Sequence, residues 1–63
     1  MKVIKTDNFD REFISDTLVA DNVPEFYVLF IVECLNKKFC DYDDSPDFFK
    51  AVEDNYVLYK FEP

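Results

Sequence analysis

The sequence predicts an α+β fold: a ββαββ two-layer sandwich, with one helix packed on a mainly antiparallel four-stranded sheet. Three observations lead there. Short runs of β-branched and aromatic residues sit towards both ends of the chain. One longer apolar segment in the middle carries helix signals on both flanks. Turn-prone Asp and Asn punctuate the rest. A sheet with one apolar face and a helix with one apolar stripe bury each other, which gives two layers. At 63 residues the chain makes a single domain, residues 1–63. A domain this small buries only ~60% of its unfolded surface, so its stability is marginal without a staple, a metal or a partner.

The first strand is "MKVIKTD", where Val3 and Ile4 point to opposite faces. In "NFDREFIS", Asn8 and Asp10 are turn-prone; Phe9 and Phe13, four apart, fit either a helical turn or a loop whose two phenylalanines cap the core. "DTLVADN" is the second strand, with Leu18 and Ala20 on one face and Thr17 and Val19 on the other.

The central segment contains "FYVLFIV", seven apolar residues in succession. Taken alone it has the composition of a strand. Its flanks make it a helix over about residues 23–38. Asn22 and Glu25 have the spacing of a capping box, and Pro24 suits a first turn. Glu25 and the pair Lys37 and Lys38 complement the helix dipole. An inner stripe of Val28, Ile31, Val32, Leu35 and Phe39 faces the sheet. Phe26, Leu29, Phe30 and Glu33 fall on another side. That second face is apolar for two turns, and a four-stranded sheet cannot bury both.

"CDYDDSPD" is an acidic connection. "FFKAVEDNYVLYKFEP" then predicts a hairpin with a three-residue loop at residues 53–55. That register puts Phe49, Ala51, Val57, Tyr59 and Phe61 on one face, and Phe48, Lys50, Tyr56, Leu58 and Lys60 on the other. A short helix over residues 46–52 is the competing reading.

Charge and composition exclude several classes of function. Fourteen acidic residues against seven basic ones give a net charge of −7. Such a chain repels nucleic-acid phosphate and anionic membranes, so neither is an expected partner. Lys37 and Lys38, near Phe39 and Tyr42, read as helix-terminal charge rather than as a nucleic-acid patch. No histidine and no glycine occur. The commonest general base is therefore missing, as are glycine-based phosphate loops. Cys34 and Cys40 cannot supply a tetrahedral zinc site alone, and a thiol nucleophile would lack an imidazole. Six residues apart on one helix they cannot bridge, so they read as reduced thiols, one packed and one near a helix end. The acidic run Asp41, Asp43, Asp44 and Asp47 has the density of a calcium loop. Counted from Asp41, however, the sixth and twelfth positions hold Pro46 and Val52 rather than Gly and Glu. It reads as a solvated acidic patch. No cofactor and no metal is expected, and no enzyme. The N-terminus lacks the apolar core of a signal peptide, and the central run is far short of the ~20 residues that span a bilayer. The expectation is a cytoplasmic protein.

Two stretches, "DTLVADNV" running into the helix and the terminal "DNYVLYKFEP", resemble small uncharacterised acidic proteins of bacteria and their prophages. The resemblance covers about half of the chain. It implies a phage or mobile-element origin and carries no activity. Such proteins have more polar first helical turns, where this chain has Leu29 and Phe30.

Function is then expected at the outer helix face: Phe26, Tyr27, Leu29, Phe30 and Glu33. The first reading is a non-catalytic interaction module that forms a homodimer through that face and binds a further protein. The alternative is a phage-type inhibitor or adaptor whose acidic surface binds a basic host protein, in imitation of DNA phosphate.

Overall fold

The computed structural model describes residues 1–9, 11–41 and 44–62. It is an α+β domain with one helix and a three-stranded antiparallel sheet. In chain order the elements are β1 (Lys2–Asp7), β2 (Thr17–Ala20), α1 (Glu25–Phe39) and β3 (Asp47–Val52). The sheet order is β2-β1-β3. β1 and β3 pair over their full lengths, from Lys2 opposite Val52 to Asp7 opposite Asp47.

Alternation along β1 gives each sheet face its own core. On the helix side, Val3 is fully buried and packs with Val23 and Val28, flanked by Met1, Ala20, Val32, Leu35 and Ala51. On the other side Ile4 is fully buried as well. Tyr56 lies on that second face, where the Lys50 ammonium stands 5.5 Å from its ring centroid.

The register of β1 and β2 shifts between Val3 and Ile4: Ala20 is opposite Val3, and Leu18 is opposite Ile4. Cross-strand partners share a face. The irregularity therefore sends Leu18 and Ala20 to opposite faces, which corrects the simple alternation expected for this strand. Period-2 patterning cannot register an extra residue in one strand.

The central run is helical, as its flanks predict. The cap differs from the expected box. Pro24 occupies the N-cap position without a side-chain hydrogen bond. Asn22 instead takes a left-handed conformation, φ 53°, with its amide donating to Asp21 Oδ1 at 2.8 Å. Asn tolerates this region better than most residues, and the chain has no glycine to place there. Of the expected inner stripe, Val28 is buried and Val32 and Leu35 are half-buried, whereas Ile31 and Phe39 are exposed. Phe39 reaches only the rim of the core, its ring 6.1 Å from that of Phe49. Cys34 is exposed and Cys40 half-buried at the C-cap, both as free thiols. One thiol does lie at the helix end, as expected, whereas the other, expected to be packed, is the exposed Cys34.

The expected fourth strand does not form: residues 56–62 carry no strand, so the four-stranded ββαββ arrangement becomes ββαβ among the described residues. The reason lies at the outer edge of β3. The Asn36 side chain reaches from the helix and makes, at Phe49, both bonds that a neighbouring strand would make there. Its Nδ2 donates to Phe49 O at 2.9 Å, and its Oδ1 accepts from Phe49 N at 2.8 Å. A hairpin with a three-residue loop would place Tyr59 opposite Phe49. With that position taken, Tyr59 bonds elsewhere. Its amide donates to Asp16 Oδ2 at 2.8 Å, and its carbonyl accepts from Asp16 N at 2.8 Å. The turn itself is present, with Tyr56 N donating to Glu53 O at 3.0 Å. Beyond it the chain crosses the second sheet face instead of extending the sheet.

Asn36→Ala removes both bonds at once. Two net hydrogen bonds, with the strand edge left to water, correspond to about 2 kcal/mol. Urea denaturation is expected to show a lower midpoint at unchanged slope. Asn36→Asp keeps the acceptor and loses the donor, and is expected to recover little, because its carboxylate faces the Phe49 carbonyl. A midpoint within error of the parent would contradict this account of the β3 edge.

Candidate interaction surface

An α-helix advances 100° per residue, so Phe26 and Phe30 share a line along α1. That line lies opposite the Val28 and Val32 stripe that meets the sheet. Phe26 is 76% exposed, Phe30 62%, Leu29 69% and Tyr27 55%. Glu33, also exposed, continues the line one turn on. The aromatic rings touch one another rather than the core. Phe26 and Tyr27 meet edge to face at 5.2 Å between centroids, and Phe26 and Phe30 are tilted at 6.3 Å. The structure thus brings together the four apolar residues expected from sequence and leaves them facing solvent.

The size of the patch follows from the side chains. At roughly 150–250 Å² per aromatic, four residues exposed to this degree present on the order of 400–500 Å². The largest apolar patch on a typical monomer falls within about 300–600 Å² and is often functional. The whole molecule shows the same surplus. Its accessible surface is 4884 Å², against about 4,250 Å² for a compact folded chain of its mass. Its Cα extents of 36 × 29 × 12 Å describe a slab, which exposes more surface than a sphere.

The acidic residues are less concerted. Asp41 and Asp44 are exposed. Asp43 lies outside the described residues, as does Tyr42. Asp47 is half-buried in β3, opposite Asp7, and its charge helps to hold Arg11 protonated. Among the described residues, no three His, Cys, Asp or Glu converge to hold a metal ion. No helix is long and apolar enough to cross a membrane among those residues.

A second charged constellation was not legible in the sequence. Asp7, at the end of β1, is a buried carboxylate. Its Oδ2 accepts from Arg11 N at 2.7 Å and Phe9 N at 3.2 Å, and its Oδ1 accepts from the Arg11 guanidinium, Nε at 2.9 Å. The Arg11 guanidinium carbon lies 5.4 Å from the Phe9 ring and 5.8 Å from the Phe13 ring. Those two phenylalanines are more than half exposed. They flank a cation instead of capping the core. In the sequence this constellation shows only as an Asp followed four residues later by an Arg, a spacing that does not disclose the burial of Asp7. Asp7 and Arg11 line an open cleft of about 440 Å³ with Glu12, Lys50, Tyr56 and Tyr59.

Compared with known proteins, the chain matches no family model, no curated protein and no solved structure.

The hydrogen bond from the Arg11 side chain holds the Asp7 carboxyl down at about 2, from an ordinary 3.8, against the opposing effect of burial. A depressed folded-state pKa stabilises the fold above the unfolded value and is lost as pH falls through the folded one. The Asp7 contribution is therefore complete above about pH 4 and disappears towards pH 2. A carboxyl-carbon NMR titration is expected to show Asp7 still ionised at pH 3. A midpoint near 4 would contradict the Arg11 contact; Asp7→Asn keeps an oxygen for the Phe9 and Arg11 amides and is expected to lose only the guanidinium pair, whereas Asp7→Ala is expected to release that backbone as well.

Proposed function

We propose that this chain is a small non-catalytic interaction module that forms a homodimer through the outer face of α1, and that Phe26, Tyr27, Leu29 and Phe30 form the contact with Glu33 at its rim. One observation carries the reading: four large apolar side chains stand together in solvent on a rigid helix, on a molecule with more surface than its mass requires. A symmetric contact covers the patch twice, which suits a domain short of burial. Doubled, it removes roughly 800–1,000 Å², below the 1,200–2,000 Å² of a standard stable interface. The dimer is accordingly weak and concentration-dependent. The two free thiols fit a reducing, cytoplasmic setting, in line with the prophage resemblance. Acidic docking to a basic host protein remains the second reading, supported by the charge of −7 and the exposure of Asp41 and Asp44.

Salt separates the two. An apolar contact persists at high ionic strength, whereas a complex held by exposed charges weakens as the screening length falls below ~8 Å. Sedimentation equilibrium at tens of micromolar is expected to show a monomer–dimer equilibrium that added salt leaves in place. Phe30→Glu removes an aromatic from each side of the dyad, a loss of about 3 kcal/mol and roughly a hundredfold in dissociation constant. A wild-type chain that sediments as a monomer at that concentration would overturn the proposal.

A further inference from the structure

The two edges of the sheet are finished differently. β3 is closed by Asn36. β2 pairs only with β1, and its outer backbone groups carry no backbone hydrogen bond among the described residues. α1 packs on β3 and β1, and of β2 only Ala20 reaches the core beneath it. Leu18 and Val19 are 47% and 43% exposed. Within Thr17–Ala20 there is no charge and no proline, two of the devices that blunt a sheet edge. The strand is short and irregular, which are two further blunting devices, so the edge has room for one short segment and not for an extended stack.

The ends of this edge carry charge. Asp16 precedes it and Asp21 follows it, and neither carboxylate is in an ion pair among the described residues. Asp16 is half-buried and accepts from the Thr6 hydroxyl at 2.7 Å, from Tyr59 N at 2.8 Å and from the Tyr56 hydroxyl at 3.4 Å, which fixes it where β2 begins. Asp21 is exposed. A second copy approaching antiparallel would set Asp16 of one chain near Asp21 of the other, between molecules of charge −7. Like charges opposed in this way are unfavourable.

We propose that the β2 edge accepts, by strand addition, an extended segment of another protein with alternating apolar residues bracketed by Lys or Arg. Backbone bonds supply the affinity, and the brackets supply the choice of partner. This surface is separate from the outer face of α1, and a monomeric variant keeps it.

The test uses the isotopically labelled full chain carrying Phe30→Glu, so that self-association does not enter. It is titrated with a capped six-residue peptide of alternating valine and threonine between terminal lysines. A second peptide has glutamates in place of the lysines. Amide shifts of Thr17–Ala20 are expected to move with the lysine peptide, which binds about tenfold more tightly than the glutamate one at low salt. Asp21→Asn keeps an acceptor for the Asn22 amide while removing one charge, and is expected to cut that preference to about threefold. Equal binding of the two peptides, shifts centred on α1 instead of β2, or no binding at millimolar peptide would each overturn the proposal. So would concentration-dependent shifts in β2 without peptide, because they would show the edge pairing with its own copy.

Discussion

The Asn36–Phe49 pair decides how the remaining chain is arranged. A carboxamide presents one donor and one acceptor in the spacing of a peptide group. Placed on a helix, it ends the sheet at β3 as an added strand would. Three things depend on it. The helix is held over β3 and β1. The sheet stops at three strands on that side. The C-terminal residues are diverted across the other face, where Tyr59 meets Asp16. A side chain thus does in one residue what a strand would need several to do. It also couples helix placement to strand register, because a one-residue slip of β3 would break both bonds.

The diversion explains the shape. A fourth strand would have widened the sheet and given the helix a broader bed. Instead the same residues run past the second face to bond Asp16 and Ser15, and the helix keeps one stripe for the core and one for solvent. The domain buries Val3 and Ile4 completely with very little chain. What it leaves uncovered is segregated: aromatic side chains on the helix, open backbone on β2. These two kinds of surface select different partners, one by shape and apolar area and the other by hydrogen bonds and charge.

Local patterning made β1, β3, the helix and the apolar outer face legible. Each is signalled by neighbours in sequence: Val3 with Ile4, Pro24 with Glu25, Phe26 with Phe30. The features that patterning missed are set by distant contacts. Nothing in "VLYKF" discloses that its strand partner is already occupied by Asn36. Asn36 does fall on the same helical stripe as Val28, Val32 and Leu35, and a lone amide there was a readable sign of a buried polar role. The β2 irregularity and the Asp7–Arg11 loop were hidden in the same way. Each depends on which groups meet after folding, and hydropathy carries no information about that. The cap prediction failed for a local reason. Asn22 served both as a cap former and as a left-handed turn former, and without glycine in the chain the turn took it.

The path of the C-terminal segment also sets the order in which the fold gives way. Its bonds to Asp16 and Ser15 span more than forty residues of chain, rest on exposed groups, and belong to no strand ladder. Local opening draws on this kind of contact. Release of the segment leaves β1, β3 and α1 joined through Asn36, while Tyr56 and Tyr59 lose their bonds to Asp16 on the second sheet face. A form opened in this way would expose part of the second sheet face beside the open edge of β2. Such a form is prone to aggregate. The few hydrogen bonds at Asp16 and Ser15 therefore guard the molecule's solubility more than its global stability.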